Sequence, residues 1–447
     1  MIMQNHKIAI LGAGISGLSF AYYLKKFNPT VDFTIYEESD KAGGLVYSEE
    51  KEGCILEWGP RGIRPKGKGQ CVLELVEDLG LWDDLVFAAD SAKKRYLCHD
   101  DKLQVLPHSI KSFLVSPYFI VFAKAIFRDL RASKYNGDET ISSFVDRHFG
   151  FEFRSLFFDS MVSGIWAGDV TKMSISATLP LLKRLEGQSG SIVRALIGFK
   201  SAEVDSKKYP KNITSKALFS FKGGVQQLVD SLKLELSQNI VYNARIEDLE
   251  VSDSVKFNAN GESHSFSKIV STIPAHKLCR YLEGDLSDLL KSINYSPVAL
   301  QNVRMKKSEF NFDGFGFLVP SKEGSVVLGM VANSNTFPEH STDEFVVNTV
   351  MMGGARFTAE RLREIDLEEE SSVFLNKVFG ENLFFGSSEL KIIEKAIPQY
   401  ELGHLDRVLK IERLSPAAFT ILGNYMYGVS LIDIISKSKE VAKEYLT

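Results

Sequence analysis

The sequence predicts an α/β protein with α+β insertions, in which separated parts of the chain build one parallel sheet. Three observations predict it. "KIAILGAGISGLSFAYYLKK" (7–26) reads as buried strand, glycine turn and helix. Strand-then-helix runs return at 217–236 and at the C-terminus. Between them lie two stretches of different character, one basic and helical, the other rich in alternating strands. The 447 residues suit about three domains at ~150 each, and 44% hydrophobic with 25% charged is an ordinary globular mix.

Taken in order, Ile8 to Leu11 form an apolar run, as in a strand buried on both faces. Gly12, Gly14 and Gly17 match GxGxxG. The first glycine permits a tight turn, the second lets a pyrophosphate approach the backbone, and the third lets the helix pack closely on the sheet. Ala13, Ile15 and Ser16 complete the turn, and the helix start offers free N–H groups to phosphates. "DFTIYE" then ends at Glu37, 20 residues after Gly17, where an acidic residue meets a ribose hydroxyl. Packing alone would account for the glycines but not for the whole fingerprint, so the start is Rossmann-like. In "ESDKAGGLVYSEE" (38–50), Gly43 and Gly44 end the excursion and a strand-like run begins at Leu45. "WGPRGIRPKG" (58–67) then holds Arg61 and Arg64 on a backbone constrained by Gly59, Pro60, Gly62, Pro65 and Gly67.

"ALFSFKGGVQQLVDSLKLEL" (217–236) reads as a strand, a Gly-Gly turn and a helix with Val225, Leu228, Val229, Leu232 and Leu236 on one face. "NIVYNARIEDLEV" is expected to return beside the first strand, and "KIVSTIPAHKL" is a further buried strand ending at Pro274. "ILGNYMYGVSLIDIISKSKEVAKEYL" gives a strand, a loop and a closing helix, whose N-terminus after Gly428 can point at a ligand. The domain boundaries expected are 1–90, 215–276 and 398–447 for the nucleotide domain, 91–214 for a helical insertion and 277–397 for an antiparallel-sheet insertion.

From Ser91 to Lys134 nine basic residues face three acidic ones, although the whole chain carries a formal charge of −4. Within that stretch, "SFLVSPYFIVFAKAIF" (112–127) offers Ser116 as N-cap and Pro117 as first helical residue. It is shorter than the ~20 apolar residues a bilayer span needs. Two readings stand: a helix lying in a membrane interface, or a buried helix lining an apolar pocket. In 277–397, "LQNVRMKKSEF", "GFGFLVP", "SVVLGMV" and "FVVNTVMMGG" alternate as strands, and "DLEEESSVFLNKVFG" is a helix opening among acids. The polar run 201–216 is expected to be a loop.

The charge balance argues against nucleic acid. Cys54, Cys71, Cys98 and Cys279 form no CxxC pair and no zinc-ligand spacing, so neither a metal site nor a disulfide framework is expected. The N-terminus shows no secretory pattern. A cytoplasmic location follows as the expectation, peripheral to the inner face of a membrane if the helical stretch lies in an interface.

Several stretches then agree on one family. "GPRGIRP" (59–65), "SGIWAGD" (163–169), "GFGFLVPSKE" (314–323), "TVMMGG" (349–354), "IPQYELGH" (397–404) and "GNYMYGVSLID" (423–433) resemble the protoporphyrinogen oxidases, mitochondrial type and bacterial relatives, over nearly the whole chain. The Gly-Gly after the second strand likewise resembles the extended motif of the amine oxidase-like flavoproteins. The resemblance implies an FAD-binding domain, a substrate domain over the flavin and a helical domain touching a membrane. It implies oxidation of a porphyrinogen to a porphyrin by hydride loss from a meso carbon to the flavin, with dioxygen or another acceptor reoxidising it. Gly12, Ala13, Gly14, Ile15, Ser16, Gly17, Glu37, Gly44, Leu45, Gly59, Pro60, Arg61 and Gly62 fall on the family's FAD contacts. Ile246 falls at the adenine, and Asn424, Val429, Ser430 and Leu431 fall near the isoalloxazine. Leu45 and Asn424 depart from residues common there. Arg95 matches the arginine that pairs with a propionate, and Gly164, Phe315, Leu318 and Met351 match the pocket lining.

Chemistry agrees with that carry-over. A large apolar macrocycle with acidic arms needs a pocket of Phe, Leu and Met and at least one arginine. Arg95 is the candidate; its alternative is a solvated arginine within "KKR". No side-chain nucleophile is required. Arg61 either supports the flavin electrostatically or holds its own loop, and Arg64 reads as structural. Three rivals stay open: coproporphyrinogen as substrate, amine oxidation with the tyrosines of "NYMYG" as an aromatic cage, and a carrier handing tetrapyrrole to a chelatase. The covalent-flavin amine oxidases use a C-terminal cysteine, and none follows Cys279. A homodimer is also left open.

Overall fold

The computed structural model describes residues 7–445 apart from 108, 198–208, 210–212, 214–215, 253 and 381–384. The loop expected at 201–216 thus falls almost wholly outside the described residues. A five-stranded parallel sheet runs in the order Phe419–Ile421, Lys268–Ser271, Ile8–Leu11, Phe33–Tyr36, Ile240–Val241. The central strand alternates between two cores. Ile8 and Ile10 face helices Ile15–Phe27, Gln226–Glu235 and Leu431–Glu444. Ala9 and Leu11 face a three-stranded meander of Ile246–Val251, Val255–Ala259 and Glu262–Phe266. A strand covered on both sides has no polar face to show, which is why its sequence does not alternate.

One expectation is corrected here. The run after Asn239 does not return beside the first strand; Ile240–Val241 pairs at the sheet edge with Phe33–Tyr36, and Lys268–Ser271 takes the inner place. The inner position demands burial on both faces. Ile269, Val270 and Ser271 are fully buried, whereas Val241 is exposed.

The second sheet has seven strands: Phe385–Pro398, Tyr295–Lys306, Phe345–Gly353, Val327–Val331, Gly316–Leu318, Arg95–His99 and Lys102–Val105. All its pairings are antiparallel except Gly316–Leu318 with Arg95–His99. The helical character expected from residue 91 therefore begins only at Ile110. Residues 95–105 are a hairpin on this sheet, turning at Asp100 and Asp101, both with positive φ. Ser109 caps the helix Ile110–Leu114, and the next helix, Phe119–Asp129, starts two residues later than Pro117 suggested. The helix opening among acids is present at Leu367–Phe379, with Asp366 as its cap.

The helices of 110–197 enclose polar groups. Asp129 and His148 are wholly buried and 2.6 Å apart. Ser191 Oγ and the amides of Ile192 and Val193 also donate to Asp129, while Arg147 and Lys183 hold buried Glu186 at 2.6 and 2.8 Å. Leu114, Val115, Ile120, Phe127, Leu196 and Ile197 point outward. Among the described residues no helix is long and apolar enough to cross a membrane.

Candidate functional site

The glycine turn lies at the carboxyl end of the central strand, and each glycine has its own physical reason. Gly12 has φ +102°, and a Cβ there would lie 2.7 Å from Thr272 Oγ1. A Cβ on Gly17 would lie 2.0 Å from the Gly12 carbonyl oxygen. Gly14 is different: nothing lies within 4 Å of the Cβ position, which leaves room for a ligand. Helix Ile15–Phe27 starts from Gly14 with no side-chain cap and no acid in its first turn. Its first amides, those of Ile15, Ser16 and Gly17, have no intrahelical acceptor, as an anion site needs.

Glu37 ends the second strand and turns back to the glycine loop. Its Oε2 accepts from the Ala13 amide at 2.7 Å, and its Oε1 accepts from the Ser39 amide at 3.0 Å. A carboxylate offers about four lone-pair sites, so capacity for a ribose hydroxyl remains. Buried Ile246 follows close by, because the Ala244 amide donates to the Glu37 carbonyl at 2.8 Å.

Two more loops close on this turn. Gly43 bridges Gly14 and donates to the Ala13 carbonyl at 2.9 Å, and Gly44 lies against the Gly14 Cα. Gly59 packs so tightly on the Leu45 carbonyl that a Cβ would lie 2.2 Å from it. Leu45 itself is half-exposed. The strand-like run after Leu45 is a hairpin, Ser48–Lys51 with Cys54–Glu57, which delivers Gly59, Pro60, Arg61 and Gly62 to the site.

That hairpin also brings a residue the sequence reading missed. Glu57 is 1% exposed. Burial raises its pKa to about 7, against the opposing pull of Ser48, the Val225 amide and Arg61. Arg61 is its counter-charge, lowered by its own burial, and its Nε is buried with no hydrogen-bond partner. A glutamate closing the buried strand Cys54–Glu57 just before a glycine loop was the available signal.

The C-terminal loop is tied down by Tyr400. Its hydroxyl accepts from the Gly428 amide at 2.8 Å and donates to the Asn424 carbonyl, and its ring stacks on His404 at 4.1 Å. The closing helix starts at Leu431, with Ser430 as N-cap. Asp433 sits in its first turn and pairs with Lys68 at 3.0 Å, offsetting part of the helix dipole there. Ser430 and Leu431 have their side chains in the cap and the core, leaving their backbones for a ligand, while Val429 packs against the helical region. Tyr425 and Tyr427 build no cage, since their hydroxyls bond the Ile273 carbonyl and Glu412.

The expected substrate residues converge on the seven-stranded sheet. Leu318, Gly329 and Met351 are register partners across three adjacent strands and so share one face. Gly164 packs on this row, where a Cβ would lie 2.2 Å from Leu318 Cδ2. Arg95, opposite Gly316, lays its guanidinium 5.0 Å over the Phe315 ring. Gly329 was not singled out from sequence, although it must lack a Cβ, which would lie 2.4 Å from the Phe317 carbonyl oxygen and 3.3 Å from Leu318. Two cavities of about 180 and 230 Å³ lie elsewhere, around Tyr295 and Gln399 and around Cys98 and Glu323, without these residues in their walls.

Open space at Gly14, uncapped helix amides, Glu37 at the strand end and the buried Arg61 Nε without a hydrogen-bond partner together fit an FAD. Comparison with known proteins agrees. A protoporphyrinogen oxidase from Dictyostelium discoideum is 29% identical, with 97% of this chain and 98% of that protein aligned. A coproporphyrinogen III oxidase from Staphylococcus aureus is 24% identical over 99% of each. A crystal structure from Exiguobacterium, assigned as a protoporphyrinogen oxidase, superposes with a TM-score of 0.82 over 99% of both chains at 19% identity. Residues 15–383 match the family described as flavin containing amine oxidoreductase. The chain belongs to that family and is an FAD-dependent oxidoreductase.

Proposed function

We propose that the chain oxidises protoporphyrinogen IX to protoporphyrin IX. The observation that carries this reading is the row Gly164, Leu318, Gly329 and Met351 with Arg95 and Phe315 beside it. An apolar face with a cation at its rim suits a flat tetrapyrrole with acidic arms. Bound FAD would supply hydride acceptance from a meso carbon, with dioxygen as the final electron acceptor. The chain's own part is positional. Arg95 holds a propionate, Phe315 and Leu318 clamp a pyrrole ring, and the glycine loops with Glu37 hold the dinucleotide. Asn424 and Val429 to Leu431 border the flavin ring, and Arg61 faces negative charge there, kept company by Glu57.

The division proposed is 1–90, 215–276 and 398–447 for FAD, 277–397 with the hairpin 95–105 for substrate, and the helices from Ile110 onward for attachment. The outward apolar side chains, with Lys111, Lys124, Arg128 and Arg131 among them, fit peripheral binding to an anionic membrane, on its cytoplasmic face.

Coproporphyrinogen III is the second reading, supported by the Staphylococcus aureus relative. Aerobic incubation of the flavoprotein with each porphyrinogen, followed by porphyrin fluorescence, tests both. Faster turnover of protoporphyrinogen is expected; turnover of coproporphyrinogen alone replaces the first reading with the second, and no fluorescence from either removes both.

A further inference from the structure

Arg64 stands in an unusual setting. Ile63 exchanges backbone hydrogen bonds with Phe219 at 2.8 and 2.9 Å and buries its side chain. Pro65 is buried too, so Arg64 is the residue of this segment turned to the open side. The backbone behind it is tight: a Cβ on Gly69 would lie 1.8 Å from the Arg64 carbonyl oxygen. The residue is therefore presented from a rigid support, not from a loose surface loop.

Arg95 reaches the same place from the other sheet. Its guanidinium lies over Phe315, and Phe315 and Leu218 pack on the cluster of Val86, Ala88, Ala92 and Phe337. The loop carrying Arg64 rests on that cluster as well, since a Cβ on Gly62 would lie 3.3 Å from Phe337 and 3.4 Å from Leu218. The two charges feel each other: burial lowers the Arg95 pKa, and Arg64 lowers it further.

Three of the neighbouring lysines are neutralised. Lys93 pairs with Asp90, Lys94 with Asp313 and Lys68 with Asp433. Among the described residues, neither Arg64 nor Arg95 lies within ion-pair distance of a carboxylate. Two cations held together without a counter-ion are unfavourable by themselves and favour the arrival of negative charge. Guanidinium groups take carboxylates bidentately.

We propose that Arg64 and Arg95 form a two-point clamp for a pair of carboxylates on neighbouring arms of one substrate. Resting on the porphyrinogen reading, the clamp accounts for orientation: with both arms held, one edge of the macrocycle stays at the rim and the opposite edge is directed inward over Leu318 and Met351. A single arginine would leave the ring free to pivot about one arm.

The test is titration of the flavin-loaded protein with a porphyrin bearing two adjacent propionates, read by porphyrin fluorescence and by perturbation of the flavin absorbance. The dimethyl ester of the same porphyrin is titrated in parallel. Arg64→Gln and Arg95→Gln are each expected to weaken the diacid on the order of tenfold, and Arg64→Lys to recover part of the loss. Added salt should weaken the diacid but not the ester, and ester affinity, flavin content and melting temperature should stay at wild-type values. Wild-type diacid affinity in Arg64→Gln overturns the clamp while leaving the porphyrinogen reading intact. Equal loss for diacid and ester in both Arg64 variants also overturns it, as a purely structural role would. Failure of the unmodified protein to bind either porphyrin removes the porphyrinogen reading and the clamp together.

Discussion

Helices Ile15–Phe27 and Phe119–Asp129 are both strongly apolar, yet they are turned opposite ways. The first buries nine of its 13 residues, including Leu18, Phe20 and Leu24, between the parallel sheet and the closing helix. The second buries only Ala125 and Asp129 and leaves Ile120 and Phe127 outside. The difference teaches that apolar composition sets a helix's demand for cover but not what supplies it. In the nucleotide region the sheet supplies the cover. In the helical region an apolar core around Phe144, Val162 and Leu185 sits beside the buried group of Asp129, His148 and Glu186, and the outward side chains of this helix have no cover among the described residues. A polar interior of this kind holds only if every member is partnered.

The largest effect expected is on the nucleotide side of this comparison. In Gly17→Ala the new methyl group meets backbone at the Gly12 carbonyl, and the protein should purify with almost no flavin, as read from visible absorbance per chain. Gly14→Ala has nothing to strike and should keep its melting temperature while holding flavin more weakly. Equal loss of stability in both would mean that neither glycine is there for a ligand.

On the helical side, Asp129→Ala leaves His148 and the amides of Ile192 and Val193 without their acceptor. A loss of about 3–5 kcal/mol in denaturant titration is expected. Burial alone would raise the carboxylates of Asp129 and Glu186, but the donors around each outweigh it and hold both below their ordinary values. Their stabilisation is therefore complete above the ordinary carboxylate range near pH ~4 and fades as pH falls through the lowered values. Acid unfolding of the Asp129 variant should show a shallower slope there than the unmodified protein.

A smaller effect should follow from Ile120→Asn with Ile197→Asn. Binding to vesicles containing anionic lipid should weaken at least about tenfold, in line with two large apolar side chains lost from a partly buried contact. Stability should hold within about 0.5 kcal/mol, as for exposed positions generally. Unchanged vesicle binding would leave the outward apolar face without its proposed cover. The smallest change is at Glu57. Its proton is held more tightly in the folded chain, so stability declines as pH rises from about 4.5 through about 7. Glu57→Gln should flatten that decline in thermal melts of the protein.

The nucleotide turn was legible because its causes are local: glycines that must lack a Cβ, a strand without polar positions, and an acidic residue one strand later. The antiparallel strands and the acid-capped helix at Leu367 were legible for the same reason. Pairing partners were not. Nothing near Arg95 in the chain says that its strand lies parallel to Gly316–Leu318, 217 or more residues away. Glu57 was overlooked because a glutamate in sequence reads as surface, and only its partners from Ser48 and Val225 make burial tolerable.

By itself, then, the sequence determined the fold class and the dinucleotide end, and it supplied the residues proposed to meet an acidic, apolar substrate. Local backbone sterics and side-chain chemistry operate over a few residues, and those survive in any reading of the chain. The tertiary structure decided that Lys268–Ser271 holds the inner place in the parallel sheet, that Glu57 answers Arg61, that Tyr400 anchors the loop at Asn424, and that Arg64 stands beside Arg95. Each of these joins residues distant along the chain, and such contacts follow from burial and register summed over the whole molecule.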